Sequence, residues 1–484
     1  MRPAERKARG AYYTPPEVVR TLVGWAARGA SERMIDPACG DGRFLTAHPN
    51  SVGVEQDPSA LPIAQASAPG CLIHQGDFFA WASQTRERFD CAAGNPPFIR
   101  YQRFARETRK TALELCARHG AEFTALCSSW APFLVAVATL LKSGGRMAFV
   151  VPAEIGHAPY ARPVLEYMAA HFGFVQVVAL RDKLFPQLSE DCWLLYAEGK
   201  GGRTDQIAFT PLERFSIMRD PPVFAIRARM AEWRAWNGRL RPFLLPPEAR
   251  ALYKQIAQEQ GATRLGEVAH VSIGYVTGAN DFFHIRPSRA QRDGIPSALL
   301  HPAVRNGRAL KGRAVTWSTV ESWRRRDEPS FLLRLNAEHE LPSSVRRYLD
   351  SPEGKEARTS YKCRSRDPWY VVPDVSVPDA FLSYMSGDVP ALVANHAKCV
   401  ATNSVHVVKL RKGKSVSALQ RAFEGPLTEL SCELEGHPLG GGMLKLEPRE
   451  AARVLMARPR PASVARNRLV VEALDTMRQW RHHG

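Results

Sequence analysis

The sequence predicts a doubly wound α/β fold, a mostly parallel sheet with helices on both faces, followed by a second domain. Short apolar runs typical of buried strands alternate with helical patterns through the first half of the chain. Three of these runs end in an acidic residue beside a turn, at the edge where such sheets bind ligands. The 484 residues suffice for two or three domains of about 100 to 200 residues each. A charged, Pro-rich stretch at residues 203–247 indicates the tail of the first domain followed by a hinge, so we expect domains at 1–240 and 241–484.

The composition favours a protein with a polyanionic partner. The net charge is +18, and a cationic surplus of this size is typical of proteins that displace counterions from nucleic acid. A generally basic proteome would produce the same surplus, and composition leaves that alternative open. The nine cysteines include no Cys-x-x-Cys pair, so zinc-ribbon and thioredoxin-like sites lack their usual spacing and no metal site is predicted.

The chain carries no sequence signal for a membrane. Its longest apolar run, residues 130–141, is shorter than the roughly 20 residues of a membrane span. Residues 1–10 are charged and contain no apolar signal core. We therefore expect a cytoplasmic protein with reduced thiols and no membrane segment.

A helix start precedes the first strand. Thr14 and Glu17 have the spacing of a capping box, and Pro15 between them suits the first helical position. We expect Thr14 to cap this helix, and its free backbone amides could also receive a carboxylate.

Three acids follow the first three predicted strands. Asp36 leads into a tight turn with Gly40 and Gly42, where the backbone allows a ligand to approach closely. Glu55 ends the second strand, and Asp77 ends the third beside two aromatic residues. A single acid at a strand end is usually a turn residue. Three in succession favour a cofactor site at this edge of the sheet.

The fourth strand, residues 89–94, runs into the loop Asn95–Phe98, whose sequence is Asn-Pro-Pro-Phe. Prolines fix their own φ and withhold an N–H donor, so this loop is stiff and rich in acceptors. The Asn95 side-chain carbonyl and the Pro96 backbone carbonyl could accept both hydrogens of a ring amino group, while Phe98 stacks on the ring. An ordinary Pro-Pro turn after a core strand explains the same four residues, which alone leave both interpretations open.

Together, these motifs resemble the gamma-class amino-methyltransferases of DNA, typified by TaqI methyltransferase. The resemblance covers the first half of the chain and rests on Tyr12-Tyr13-Thr14-Pro15, Asp36-Pro37-Ala38-Cys39-Gly40-Asp41-Gly42, Glu55, Asp77-Phe78 and Asn95-Pro96-Pro97-Phe98. It implies a class I S-adenosylmethionine-dependent methyltransferase fold with a seven-stranded sheet. It also implies that residues 241–484 form an α+β target-recognition domain, for which the match is weaker.

The resemblance assigns S-adenosylmethionine as the cofactor. Thr14 would contact its methionine end, Asp36 its ammonium and Glu55 its ribose hydroxyls. Asp77 and Phe78 would bind its adenine. The full set of implied cofactor-binding residues is Tyr13, Thr14, Asp36, Ala38, Gly40, Glu55, Asp77, Phe78 and Asn95.

The resemblance also implies a target pocket for an adenine flipped out of double-stranded DNA. Asn95 and the Pro96 carbonyl would hold the amino group, with Phe98 stacked on the base; the family more often has Tyr at this last position. Phe185, in Leu184–Gln187, matches a segment that adds a second aromatic ring, although a core phenylalanine fits its sequence almost as well.

Basic and aromatic residues supply the expected DNA contacts. Arg100 and Arg103 follow the acceptor loop, and Lys362, Arg364 and Trp369 interleave in the second domain. A solvated surface is the commoner meaning of any one of them. We expect a monomer that binds double-stranded DNA in a bacterial or archaeal cytoplasm.

The implied function is site-specific adenine methylation in a restriction-modification system. Cytosine carries a similar exocyclic amine, so it stays open as the methylated base. Related Asn-Pro-Pro-aromatic loops also occur in enzymes that methylate RNA or protein glutamine, so these substrates stay open too. A non-catalytic DNA-binding specificity subunit is the alternative from another class. The recognition sequence cannot be read from the residues. Neither does the sequence tell whether a separate cognate restriction endonuclease accompanies the protein.

Overall fold

The structure is a computed structural model and describes residues 14–457 and 464–481, except 187, 189, 225, 338, 339 and 440. The chain divides into two compact units between Pro246 and Pro247. This division lies close to the boundary expected after residue 240. Of the helices within the described residues, none combines the length and the apolar character needed to cross a bilayer.

The first unit alternates strands and helices. Its elements are α1 (Pro16–Ala26), β1 (Met34–Asp36), α2 (Arg43–Thr46), β2 (Ser51–Glu55), α3 (Leu61–Ser67), β3 (Leu72–Gln75), α4 (Phe78–Gln84), β4 (Phe89–Gly94), α5 (Arg106–Arg118), α6 (Trp130–Leu140), β5 (Leu141–Pro152), α7 (Ala161–His171), β6 (Phe172–Leu180), β7 (Cys192–Lys200), β8 (Gln206–Leu212), β9 (Ile226–Arg229) and α8 (Met230–Ala235), with short 3₁₀ turns at Ala153–Gly156 and Arg241–Leu244.

These strands form one sheet in the order β3-β2-β1-β4-β5-β7-β6-β8-β9. β1 to β5 pair in parallel, whereas β7 runs antiparallel to both β5 and β6. The predicted fold class is confirmed, but the sheet has nine strands rather than seven. β8 and β9 come from the charged stretch interpreted as a domain tail and hinge. Ile207 and Phe209 are fully buried in β8, so this stretch completes the sheet edge.

The strand order places four carboxyl ends side by side. β3, β2, β1 and β4 are consecutive neighbours and parallel, so the residues that follow them meet at one edge of the sheet. Asp36 ends β1, Glu55 ends β2, Asp77 follows β3 and Asn95 follows β4. The topology therefore gathers the motif residues that are up to 59 positions apart in sequence, counted from 36 to 95.

The predicted capping box is wrong. The first helix begins at Pro16, its N-cap is Pro15, and no side chain caps it. Thr14 is buried, and its hydroxyl accepts a hydrogen bond from Asn95 Nδ2 at 3.2 Å instead. The hydroxyl that the local pattern assigned to the helix N-terminus is thus hydrogen-bonded to a side-chain amide 81 residues away.

The second unit is α+β, as expected. Its elements are α9 (Pro247–Gln258), β10 (Ala262–Arg264), α10 (Leu265–Val268), β11 (Ala269–Ile273), α11 (Asn280–Phe283), β12 (His284–Ile285), α12 (Pro287–Arg292), β13 (Leu300–Val304), β14 (Ala314–Val315), α13 (Trp317–Arg325), β15 (Phe331–Leu333), α14 (Ser343–Leu349), α15 (Pro352–Thr359), α16 (Tyr361–Arg364), β16 (Ala380–Ser383), β17 (Met385–Ser386), β18 (Leu392–Asn395), β19 (Val400–Ala401), β20 (Val405–Leu410), α17 (Val416–Phe423), α18 (Pro426–Glu435), β21 (His437–Leu439), β22 (Met443–Lys445), α19 (Pro448–Ala451), β23 (Leu455–Ala457) and α20 (Val464–Gln479), with short 3₁₀ turns at Ser297–Leu299 and Gly307–Ala309.

Small sheets organise this second unit. The larger two have the orders β11-β20-β16-β18-β14 and β12-β15-β13-β19, and most of their pairs are antiparallel. Apolar side chains of β16 point to two different core clusters, since Leu382 belongs to one and Phe381 to the other. The strand alternation therefore makes the five-stranded sheet a layer between two cores.

Candidate active site

A cavity of about 510 Å³ opens at the carboxyl edge of the first four strands. Its volume lies within the roughly 300–1,000 Å³ typical of sites for small molecules and cofactors. The predicted residues that line it are Thr14, Asp36, Ala38, Gly40, Glu55, Asp77, Phe78 and Asn95. Pro97 also lines it, whereas Pro96, Phe98 and Phe185 do not. Tyr13 lies outside the described residues.

Asp36 lines this cavity, and one of its carboxylate oxygens has no hydrogen-bond donor among the described residues. Its side chain is 1% exposed, and Oδ1 accepts from the Ala38 amide at 3.1 Å. No described residue donates a hydrogen bond to the buried Oδ2. Gly94 makes room for this side chain, because a Cβ there would lie 2.8 Å from Asp36 Oδ1. A carboxylate buried with one free oxygen is suited to bind a cationic donor.

The environment of Asp36 disfavours its charged form. Burial raises the pKa of Asp36 to about 8, and the negative charges of Glu55 and Asp41 add to the rise. The hydrogen bond from the Ala38 amide opposes it only in part. Near neutral pH the carboxyl is thus largely protonated until a cation arrives.

Glu55 is held rigidly by two backbone amides. Its Oε2 accepts from Gly40 at 2.9 Å, and its Oε1 accepts from Asp57 at 2.6 Å. Gly40 has a φ of +54°, a conformation that glycine adopts without strain. Each carboxylate oxygen keeps a second lone pair, so the oriented group can still accept from hydroxyls of a ligand.

Asp77 and Phe78, which follow β3, also line the cavity. Asp77 caps α4, because its Oδ1 accepts from the Ala80 amide at 2.9 Å. The Phe78 ring is buried and stacks on Phe133 of α6, with centroids 5.1 Å apart and planes at 12°. Phe133 also lines the cavity and was missed by the sequence reasoning, since it lies within an apolar helix that reads as core.

The Asn95–Phe98 loop follows β4 at the same edge of the sheet, and two of its acceptors have no donor among the residues that the structure describes. Asn95 Nδ2 donates to Thr14, which leaves the amide oxygen of Asn95 for a ligand. Among the described residues, none donates to the Pro96 carbonyl, whereas the Pro97 carbonyl accepts from the Ser129 hydroxyl. Phe98 is half-buried. Ser129 was not identified from the sequence.

Phe185 is placed differently from the other aromatic candidates. Its side chain is 1% exposed and does not line the cavity. Phe185 therefore occupies a core position in this structure, which was the alternative interpretation of its sequence.

The predicted DNA contacts divide into exposed and packed residues. Arg100 and Arg103 are exposed, and Arg100 pairs with Glu190 at 3.7 Å. Lys362 and Arg364 are exposed on the short helix α16.

Trp369 is half-buried and packs against the apolar core of the second unit. Its ring lies 5.8 Å from the Phe282 ring and 6.2 Å from the Phe283 ring, against the apolar core of the second unit. The exposed aromatic residue in this region is Tyr361, at 74%, which the sequence reasoning did not single out.

Neither a metal centre nor a reactive thiol lies in the described part of the site. No group of three or more His, Cys, Asp or Glu side chains among the described residues is placed to hold a metal ion. Cys39 lines the cavity, but burial raises the pKa of its thiol, an effect increased by Asp36. A thiol that resists ionisation is a poor nucleophile.

Comparison with known families identifies both units. The family described as the C-terminal domain of type II methyltransferase M.Eco57I matches residues 237–481. The Eco57I restriction-modification methylase family matches residues 65–185, and the N-6 DNA Methylase family matches residues 2–63.

Individual relatives agree with these matches. The type II methyltransferase M.XamI of Xanthomonas campestris pv. amaranthicola is 25% identical over 469 residues, covering 92% of this chain and 84% of that protein. M.TthHB8I of Thermus thermophilus is 32% identical over 164 residues, which are 31% of this chain and 36% of that protein.

One solved structure shares the fold over most of the chain. The type IIL restriction-modification enzyme MmeI, solved in complex with DNA, has a TM-score of 0.56 and 13% identity, covering 94% of this chain and 69% of that chain. The type IIG restriction endonuclease BpuSI has a TM-score of 0.41 and 14% identity, and the chain spans 61% of its length. The family matches confirm the resemblance drawn from the motifs. The chain therefore belongs to the Eco57I-type family of type II DNA methyltransferases, restriction-modification enzymes that use S-adenosylmethionine.

Proposed function

We propose that the protein transfers a methyl group from S-adenosylmethionine to the exocyclic amino group of an adenine flipped out of double-stranded DNA. The observation that carries this proposal is the adjacency of Asp36 and the acceptor loop. Asp36 ends β1 and Asn95 follows the neighbouring parallel strand β4, and both line the same cavity. A cationic donor held at Asp36 would thus lie beside an amine held at Asn95.

The cavity residues fit S-adenosylmethionine. The free Oδ2 of Asp36 suits its ammonium, the oriented carboxylate of Glu55 its ribose hydroxyls, and the Phe78 ring its adenine. The bound cofactor supplies an electrophilic methyl group. The protein contributes binding, orientation and a cavity in which charge interactions are strong.

The loop residues would make the amino nitrogen of the target base more nucleophilic. An amine conjugated to a ring has a delocalised lone pair, so it is a poor nucleophile. Accepting its two hydrogens at Asn95 Oδ1 and the Pro96 carbonyl would pull the nitrogen toward tetrahedral geometry and free the lone pair. No thiol is needed, which agrees with the burial that raises the pKa of the Cys39 thiol and disfavours its thiolate. Methylation at a ring carbon of cytosine is disfavoured for the same reason.

Adenine is favoured over cytosine by the match to the N-6 DNA Methylase family. The test is to sequence modified bases in DNA from cells that express the wild-type protein or Asn95→Ala. We expect N6-methyladenine at one short sequence motif with the wild type and none with the variant. Methylated cytosine, or methylation of RNA alone, would contradict the proposal.

Exposed cations of the second unit are proposed to contact DNA phosphates. Replacing both Lys362 and Arg364 by alanine is expected to weaken DNA binding and to lower the slope of log K against log[salt] by about 2, because each phosphate contact contributes about 0.9. Fluorescence anisotropy at several salt concentrations measures this slope. Arg346→Ala with Arg468→Ala is the charge-matched control, since both arginines are exposed and paired with acids. Equal slopes for the two double variants would exclude a specific contact at α16.

A further inference from the structure

Ser129 stands immediately before α6, where a serine usually caps the helix with its hydroxyl. Here the hydroxyl makes no bond to the first turn of α6. It reaches the acceptor loop instead, donating to the Pro97 carbonyl and accepting from the Ile99 amide at 2.9 Å. The Ser129 amide also donates to the Ile99 carbonyl at 2.9 Å. One fully buried residue therefore holds the loop through three hydrogen bonds.

The loop has few other means of being held. Pro96 and Pro97 contribute no N–H, so neither can anchor the loop through its own backbone donor. They do contribute two successive carbonyls, and Ser129 engages the second one. Among the described residues, no donor engages the first. Ser129 thus distinguishes the two carbonyls, because its hydroxyl donates to that of Pro97 and not to that of Pro96.

We propose that Ser129 is a positioning residue for methyl transfer. It fixes the Pro97–Ile99 backbone, and so holds in place the loop whose Asn95 and Pro96 acceptors are proposed to bind the amino group of the target base. This inference rests on the proposed function, because it concerns the acceptor that the loop offers. Ser129 acts through the loop, and its hydroxyl is already used by Pro97 and Ile99.

The neighbouring Ser128 provides a matched control. It is also buried, but its hydroxyl lies 3.1 Å from the hydroxyl of Tyr160, which donates to the Glu154 carboxylate. No described hydrogen bond joins the Ser128 side chain to the acceptor loop. Ser128→Ala and Ser129→Ala therefore remove the same atom from adjacent buried positions, with only one of them touching the loop.

The experiment measures single-turnover methylation of genomic DNA from a strain without adenine methylation, using tritiated S-adenosylmethionine at saturating concentration. Ser129→Ala is expected to lower the rate by about 10- to 100-fold, since a small misplacement of a reacting group has this effect. The dissociation constants for S-adenosylmethionine and DNA, measured by calorimetry and anisotropy, should stay near the wild-type values. Ser129→Thr, which keeps the hydroxyl, should recover most of the rate, and Ser128→Ala should keep it.

Three results would overturn the inference: a wild-type rate in Ser129→Ala, equal losses in Ser129→Ala and Ser128→Ala, or a loss of cofactor affinity in place of rate. Asn95→Ala separates this inference from the proposed function. An active Asn95→Ala would contradict the proposed function itself. An inactive Asn95→Ala beside a fully active Ser129→Ala would contradict only the role of Ser129.

Discussion

Asp36→Asn is expected to weaken binding of S-adenosylmethionine by about 100-fold, because the buried Oδ2 of Asp36 would lose its charged hydrogen bond to the cofactor ammonium. Isothermal titration calorimetry measures this loss directly. The variant should remain folded, since it replaces a carboxylate that burial disfavours with a neutral group of the same shape. A dissociation constant close to that of the wild type would place the ammonium elsewhere.

The same residue predicts how binding depends on pH. Burial raises the pKa of Asp36 to about 8, so the free protein holds a proton there at neutral pH. A bound ammonium favours the carboxylate and lowers that pKa, so the proton is released on binding. Affinity for the cofactor should therefore rise as pH increases toward 8 and fall again once the cofactor's own ammonium loses its proton. Calorimetry at pH 7 in buffers of different ionisation enthalpy measures the released proton.

Two outcomes separate Asp36 from other titrating groups. Asp36→Asn should abolish the proton release, and release that persists in the variant would assign it to another residue. The pH dependence of the stability of the cofactor-free protein is an independent test of the Asp36 pKa. A carboxyl whose folded pKa is raised loses stability as pH rises from about 4 to about 8. Cofactor-free Asp36→Asn should thus melt at a higher temperature than the wild type at pH 8 to 9.

The acids of the cavity were predictable because their signal is repeated and local. Asp36, Glu55 and Asp77 each follow a short apolar run, and parallel strands bring their carboxyl ends to one edge whatever the intervening helices contain. The four strands that carry these motifs are therefore neighbours in the sheet. β8 escaped prediction because its four buried residues sit within a charged, Pro-rich stretch.

Hydroxyl partners could not be predicted, since local patterns offer each hydroxyl a partner nearby in sequence. Thr14 has the spacing of a capping box, yet its hydroxyl meets Asn95, 81 residues away. Ser129 stands at an N-cap, yet its hydroxyl meets Pro97 and Ile99, 32 and 30 residues away. Tertiary contacts of this kind engage the hydroxyl although the local sequence pattern is still that of a helix cap.

The position of Trp369 illustrates the same limit for aromatic residues. Basic neighbours make it look like a nucleic-acid contact, and interleaved basic and aromatic residues do suit such surfaces. Its partners in the core, Phe282 and Phe283, are more than 80 residues away in sequence. The exposure of each ring follows from the fold, so the half-buried Trp369 and the exposed Tyr361 could be distinguished only in the structure.

Asn95→Ala is expected to lower the methylation rate at saturating cofactor and DNA by about 100-fold or more, comparable to removing one preorganised hydrogen-bonding group from an active site. The variant loses the amide oxygen that accepts one hydrogen of the target amine. Cofactor affinity should change little, because Asp36 and Glu55 keep their own hydrogen bonds. Single-turnover rates together with calorimetric dissociation constants separate the two effects.

Thr14 makes this prediction sharper, because its hydroxyl accepts from Asn95 Nδ2 and so turns the amide oxygen toward the target. Thr14→Val should lower the rate at saturating cofactor by about tenfold, the value of one lost hydrogen bond of about 1.4 kcal/mol. The two residues act as one unit, so the double variant Thr14→Val/Asn95→Ala should be no slower than Asn95→Ala alone. Losses that multiply in the double variant would show that Thr14 serves the reaction by another route, and that the orientation of the Asn95 amide has a different origin.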